Sequence, residues 1–464
     1  MAAKDTASKE TGMERKRIWG WWFFDWASQP YATLLTTFIF PVYYAEVARN
    51  HYVAQGMTPE AASAAAQSLW GYGLAISGFI IAVLAPVLGA IADNSGRRLV
   101  WVWVFSALYM AGAWGLWFLM PEQPHLVTAI ACFGIGLIGM EFATIFTNAM
   151  LPGLTSRDDV GRVSGSGFAF GYLGGVIALF LMLMLLAENS QTGRTLLGIQ
   201  PVLGLDPALR EGTRAAGPLT ALWYLVFMIP FALWVPETPG PRRPVRIRAA
   251  MADLWTLLKS LRHRRSLTAF LLSSMFSRDA LNGLYAFGGI YAGAVLGWPV
   301  ILSGIFGIVA ALSATIICWF GGRADRRWGP KPVTIVCTVV LILVCTIIVG
   351  MKRSAIMGIP LAEGSHLPDA IYFICGALIG GAGGVIQAAG RTLVVLHTSA
   401  ERATEVFGLY ALSGKATTFL APFLIALTTG LSGNLRLGIT PLIGMFLLSL
   451  ILLIWVQPKG EPEQ

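Results

Sequence analysis

Charge is scarce in this 464-residue sequence: Asp, Glu, Lys and Arg together make up 12% of it. A soluble domain carries about twice that share, and it needs the charge to clothe its surface. Soluble enzymes, disordered tails and secreted disulfide scaffolds are therefore disfavoured. Cysteine is scarce too. Cys132, Cys318, Cys337, Cys345 and Cys375 are odd in number, form no CxxC and each lie in an apolar stretch. They read as small buried hydrophobes, with neither a disulfide framework nor a metal site. The histidines, His51, His125, His263, His366 and His397, are scattered over different loops without paired ligand spacing. No nucleophile and base assemble. Gly134-x-Gly136-x-x-Gly139 has a dinucleotide-binding spacing but lies inside an apolar run with no strand before it. Gly414-Lys415 resembles the end of a phosphate loop, but Ala416 stands where Ser or Thr is needed for Mg²⁺. No catalysis, cofactor or metal is expected.

What the sequence has is apolar length. Hydrophobic residues make up 56%. A bilayer core needs about 20 consecutive apolar helical residues. Twelve such runs can be marked, near 20–45, 67–92, 99–120, 126–151, 163–187, 218–235, 266–295, 299–322, 332–350, 369–396, 405–430 and 437–456. They are too long and too continuous for barrel strands, so the expected fold is an all-α polytopic membrane protein with twelve transmembrane helices. The first run is too long for a signal-peptide core and reads as the first span. Several tryptophans, among them Trp19, Trp70, Trp101, Trp234 and Trp455, sit near run ends, as in an aromatic belt.

Lys and Arg set the orientation. With the N-terminus inside, the inner segments carry 24 of the 33, counting Arg391 near the inner end of its span, and the outer loops 7, while Arg278 and Lys415 fall within spans. Both termini are thus expected in the cytoplasm, at the inner or plasma membrane if the source is bacterial. The same bias explains the net charge of +9: it faces anionic lipid, and no nucleic-acid partner is needed. The chain divides into a tail over 1–17, a six-helix bundle over 18–235, a basic linker over 236–265, a second six-helix bundle over 266–456 and a tail over 457–464. In the linker, Leu254, Leu257, Leu258 and Leu261 form one apolar stripe beside Lys259, Arg262 and Arg264. That pattern suits a helix lying on the membrane, and equally a plain linker helix.

The two halves echo each other. Asp25, Ser28 and Tyr31 in span 1 match Asp279, Asn282 and Tyr285 in span 7. Gly89-x-x-x-Asp93-x-x-Gly96-Arg97-Arg98 follows span 2, and Gly321-x-x-x-Asp325-Arg326 follows span 8. Related motifs at equivalent places indicate an internal repeat of six spans. The 89–98 loop resembles the signature loop of the major facilitator superfamily. Asp25-Trp-Ala, Asn148-Ala-Met-Leu-Pro152, Arg162-Val-Ser-Gly165, Gly171-Tyr-Leu-Gly-Gly175 and Phe407-Gly-Leu-Tyr-Ala-Leu-Ser-Gly-Lys-Ala-Thr417 are similar to the vacuole-effluxer-like family within it. Ser28, Pro30, Thr147 and Arg278 depart from that pattern. The resemblance implies two bundles that rock about a central solute site. It further implies a latch formed by Gly89, Asp93, Gly96, Arg97 and Arg98, with a second copy at Asp325 and Arg326. Family members are linked to amino-acid efflux from a storage compartment.

The spans carry Asp25, Glu141, Arg278, Asp279 and Lys415, with Arg391 nearer a span end. A charge at the bilayer centre costs about 2.5–3.5 kcal/mol on insertion scales, so each calls for a partner or a wet cavity. Spans 3, 6, 9 and 12 carry none. Glu141 and Asn148 share a helical face with Thr144, Asn282 shares one with Arg278 and Asp279, and Gln387 pairs in spacing with Arg391. Thr144 apart, these nine residues are the candidate site for solute or protons; fixed interhelical pairing is the alternative. Arg278 is expected to hold Asp279 ionised, leaving Asp25 or Glu141 to carry a proton. Gly167, Gly171 and Gly175 read as a packing stripe, and Pro30, Pro86 and Pro422 as kinks. The expected function is secondary active transport of a small solute, with a zwitterion such as an amino acid as the best class. The rival is a non-transporting membrane scaffold that retains the fold.

Overall fold

The computed structural model describes residues 2–95, 97–237, 255–256, 259, 261–296, 298, 300–362, 364–432 and 434–460. Most of the linker, with Leu254, Leu257 and Leu258 of its leucine stripe, lies outside the described residues, and so does Gly96. Among the described residues, nine helices are long and apolar enough to cross a membrane. They match the expected runs 2–6, 8–10 and 12 to within a few residues at most ends. The other three runs are helical as well. Span 7 is one helix, Arg265–Leu296. Span 1 runs from Ala2–Pro30 through a π-helix, Tyr31–Phe38, into Phe40–Ala54. The polar segment before residue 17 therefore continues the helix. Span 11 is broken into Ala403–Lys415 and Leu420–Ser432.

The prolines explain two of these interruptions. A proline has no N–H and collides with the carbonyl four residues earlier. Pro422 excludes a helical bond to the carbonyl of Thr418, inside the break at 416–419. Pro30 directly precedes the π-helix, where Thr36 and Thr37 return their hydroxyls to the carbonyls of Tyr31 and Ala32 at 3.3 and 2.8 Å. Pro86, by contrast, is carried within one helix, Pro59–Ser95.

Contacts group the chain into two compact units. The first comprises residues 1–84, 96–147 and 170–242. Its core is aromatic. Tyr31 donates to the carbonyl of Phe133 at 2.6 Å, Tyr109 and Tyr224 stack with centroids 4.1 Å apart, and the hydroxyls of Tyr224 and Ser106 meet at 2.7 Å. Buried phenols of this kind need such partners. The Gly134/136/139 motif is a packing face: a Cβ at Gly136 would strike Tyr31, and one at Gly139 the backbone of Tyr109. In the span 5 stripe, Gly171 packs against Asp25 and Gly175 against Gln29 and Thr33.

The second unit comprises residues 85–95, 148–169 and 243–464. Two segments from the first six spans therefore pack with the last six. Its core joins spans 7, 9, 10 and 12 through Leu281, Leu341, Cys345, Tyr372, Cys375 and Phe446. All five cysteines are free thiols, three of them fully buried. A small antiparallel sheet, Met351–Lys352, Ala355–Ile356 and Ile359–Pro360, fills the loop between spans 9 and 10.

Candidate functional site

The break in span 11 is the focus of the second unit. A broken helix exposes its last carbonyls on one side and its first N–H groups on the other, and membrane interiors tolerate this only with internal partners. Span 7 supplies them. Arg278 donates to the carbonyl of Tyr410 at 3.0 Å and lies over the Tyr410 ring at 4.6 Å, within the first half-helix. Asp279 accepts the N–H of Ala421 at 3.2 Å, in the first turn of the second half-helix. Adjacent residues of opposite charge thus hold opposite sides of one break. The carboxylate of Asp279 also complements the positive end of the second half-helix. Its other oxygen, Oδ1, is buried without a hydrogen-bond partner, as is Oγ1 of Thr417. Arg278 and Asp279 do not form an ion pair with each other, which corrects the expectation that the arginine holds this carboxylate ionised. Lys415 is the last residue of the first half-helix, and its side chain lies outside the described residues.

A ring ladder leads to this point. His397 stacks on Phe270 at 6.0 Å, Phe270 stacks on Tyr410 at 5.8 Å, and Arg278 covers Tyr410. His397 was legible only as an isolated loop histidine, but it is buried. Its Nδ1–H donates to the carbonyl of Leu393 at 2.8 Å, so Nε2 accepts from the hydroxyl of Ser266 at 2.7 Å. The Ser266 hydroxyl oxygen in turn accepts the N–H of Gln457 at 2.7 Å, which ties down the chain end.

The remaining candidates separate. Asn282 is exposed, while Gln387 makes only a long bond, 3.5 Å, to the carbonyl of Gly383 in its own helix. Arg391 is buried with its guanidinium 3.8 Å from the ring centroid of Phe168. Asn148 is buried, with Oδ1 lacking a hydrogen-bond partner. Asp25 and Glu141 belong to the first unit. Asp25 is buried against span 5 at Gly171, and Glu141 is half-buried.

The latch residues meet helix starts. Asp93 accepts the N–H groups of Thr404 and Glu405 at 3.3 and 2.8 Å, capping the first half-helix of span 11. A Cβ at Gly89 would lie 2.7 Å from the carbonyl oxygen of Thr404, so only glycine allows that approach. Arg97 is exposed and Arg98 half-buried. The second copy also lies at a helix start, with different bonding. Asp325 is buried against Gly161, in the first turn of span 5, and accepts from the Thr392 hydroxyl at 2.8 Å. Beside it, Arg326 meets Asp159 at 2.8 Å, and Asp159 also holds Arg162 at 2.8 Å.

One cluster in the first unit escaped the sequence. Glu188, whose side chain is fully buried, accepts from the N–H and hydroxyl of Thr213 at 3.1 and 2.7 Å and faces Arg210 at 3.5 Å. Arg210 reaches Glu46 at 3.0 Å, and Arg214 donates to the carbonyl of Trp117 at 2.8 Å. Burial pushes the Glu188 carboxyl above its usual range, against the pull of Thr213 and Arg210. Glu188 and Arg210 bracket the loop between spans 5 and 6, and a pair of opposite charges at the two ends of a long loop was the signal available.

The comparisons agree with this architecture. The family described as "Vacuole effluxer Atg22 like" matches residues 13–464. An uncharacterized MFS-type transporter of Bacillus subtilis (strain 168), YxiO, is 26% identical over 446 residues, covering 96% of this chain and 95% of that one. Autophagy-related protein 22-1 of Aspergillus niger is 22% identical over 334 residues, 65% of this chain; the match spans only half of the fungal protein. Among solved structures, the human organic anion transporter MFSD10 superposes with a TM-score of 0.68 at 18% identity, covering 95% of this chain and 99% of that one. FucP in its outward conformation gives 0.66 at 13% identity, covering 96% and 99%. The fold is that of the major facilitator superfamily, and the chain belongs to its Atg22-like vacuole effluxer family.

Proposed function

We propose that this protein is a secondary active transporter that moves a small zwitterion, with an amino acid as the best class, by alternating access. The observation that carries the reading is the Arg278–Asp279 pair set across the break in span 11. A solute with an ammonium and a carboxylate needs both signs of charge near exposed backbone groups, and transporter sites are commonly built where a helix is discontinuous. The family's name, an effluxer, supports export of such a solute. One structural neighbour is named as a fucose:proton symporter, which supports proton coupling as part of the proposal. Lys415 is the anchor for the solute carboxylate, since an ammonium binds it without bidentate geometry. Asp25, Glu141, Asn148, Asn282, Gln387 and Arg391 complete the candidate set. Asp93, Arg97 and Arg98, with Asp325 and Arg326, act as the latch at the basic end of the molecule, which the charge bias assigns to the cytoplasm.

The test is flux of labelled amino acids through purified protein in liposomes. Lys415→Gln should weaken binding of a zwitterion far more than of its carboxyl-amidated analogue. Equal losses for the two ligands would remove the anchor role, and no flux for any zwitterion would remove the function.

A further inference from the structure

Span 8 runs on as helix to Trp328, six residues past its apolar run, and the extension is basic. At about 100° per residue, Ile316, Trp319, Phe320, Arg323 and Arg327 fall on one face. Ile316, Trp319 and Phe320 are 59%, 42% and 60% exposed, so this is an outward apolar stripe that ends in two guanidiniums. Arg323 lies 3.2 Å from the centroid of the Trp319 ring and donates to the Trp319 carbonyl at 2.9 Å. Arg327 lies 5.7 Å from the ring of Trp328, itself 65% exposed. The nearby carboxylates bond elsewhere. Asp325 turns to Thr392, and Asp159 serves Arg162 and Arg326. Among the described residues, no carboxylate pairs with Arg323 or Arg327.

We propose that this face of span 8 binds an anionic phospholipid, with Arg323 and Arg327 on the headgroup and Ile316, Trp319 and Phe320 along the acyl chain. Three features select that occupant. The stripe is continuous with a membrane-crossing helix, so its apolar part meets acyl chains. Stacking on Trp319 holds the Arg323 guanidinium near the ring at the interfacial end, where tryptophan belongs. Two guanidiniums one turn apart can share one phosphate group, and each presents the planar fork that phosphate accepts. A zwitterionic lipid brings its own ammonium to the headgroup and so gains less from two uncompensated cations.

Native mass spectrometry of the full-length protein, titrated with phosphatidylglycerol or phosphatidylcholine of identical acyl chains, tests the site. Each basic residue near an anionic surface contributes about fivefold in binding. Arg323→Gln with Arg327→Gln should therefore lower phosphatidylglycerol occupancy by about 25-fold at limiting lipid, and phosphatidylcholine occupancy far less. Arg353→Gln, on the loop between spans 9 and 10, is the control and should leave both lipids unchanged. Both arginines are exposed, so the double variant should stay folded, as a helical circular dichroism spectrum checks. The proposal fails if the double variant keeps the wild-type preference. It also fails if inorganic phosphate at millimolar concentration displaces the lipid completely, because that would make the site one for free anions.

Discussion

The guanidinium of Arg278 occupies the space that a side chain at Gly414 would need. The glycine lets span 7 reach across to span 11 at the turn before its break. Gly414→Ala should displace a flexible side-chain end without rebuilding the backbone. The expected result is a folded protein whose flux in liposomes falls at least about tenfold, with a thermal midpoint within a few degrees of wild type. Unchanged flux would mean that the seat of Arg278 does not matter to transport.

Asp279 separates capping from charge. Asparagine can still accept the Ala421 N–H; alanine cannot. Losing a helix cap costs about 1 kcal/mol. Asp279→Ala should therefore lower the thermal midpoint while Asp279→Asn should hardly change it, and both should lose flux. If Asp279→Asn transports like wild type, residue 279 serves as a helix cap alone and its charge has no part in transport.

For the latch, Asp93→Ala should cost about 1 kcal/mol by uncapping the start of span 11. A cysteine replacing buried Thr404 should then react with a membrane-permeant maleimide several-fold faster than in an Asp93 background. Equal labelling rates, with the five native thiols subtracted, would show that the cap does not close this contact.

Acid should loosen the span 5 start. Hydrogen bonding to Arg162, with the charges of Arg162 and Arg326, holds the Asp159 carboxyl below its usual value of about 3.9. A depressed folded pKa gives stabilisation that is complete above about pH 4 and is lost as pH falls through the folded value. The wild-type midpoint should therefore drop more steeply below pH 4 than that of Asp159→Asn. Parallel acid losses would show that this carboxylate contributes nothing.

The span positions were legible because lipid imposes one rule on every residue of a run. Even the split of span 11 left a trace in Pro422. Its location could not be read, since it depends on Arg278 and Asp279 reaching from a helix more than a hundred residues away. Asp93 and Asp325 were legible as matched motifs, but their partners, the N–H groups of Thr404 and Glu405 and the hydroxyl of Thr392, were not. Backbone donors carry no signature in sequence. His397 was missed for a related reason: its importance rests on stacking with Phe270 and bonding to Ser266, both distant in the chain.

Residues 85–95 and 148–169 pack with the last six spans through Asp93 on Glu405, Ser164 on the carbonyl of Ala388 at 2.8 Å, and Asp159 on Arg326. These contacts lead to the expectation that the linker is dispensable as a tether. Two polypeptides, cut within the linker and produced together, should find each other and co-purify as one particle, and Asp93→Ala with Asp159→Ala should let them drift apart.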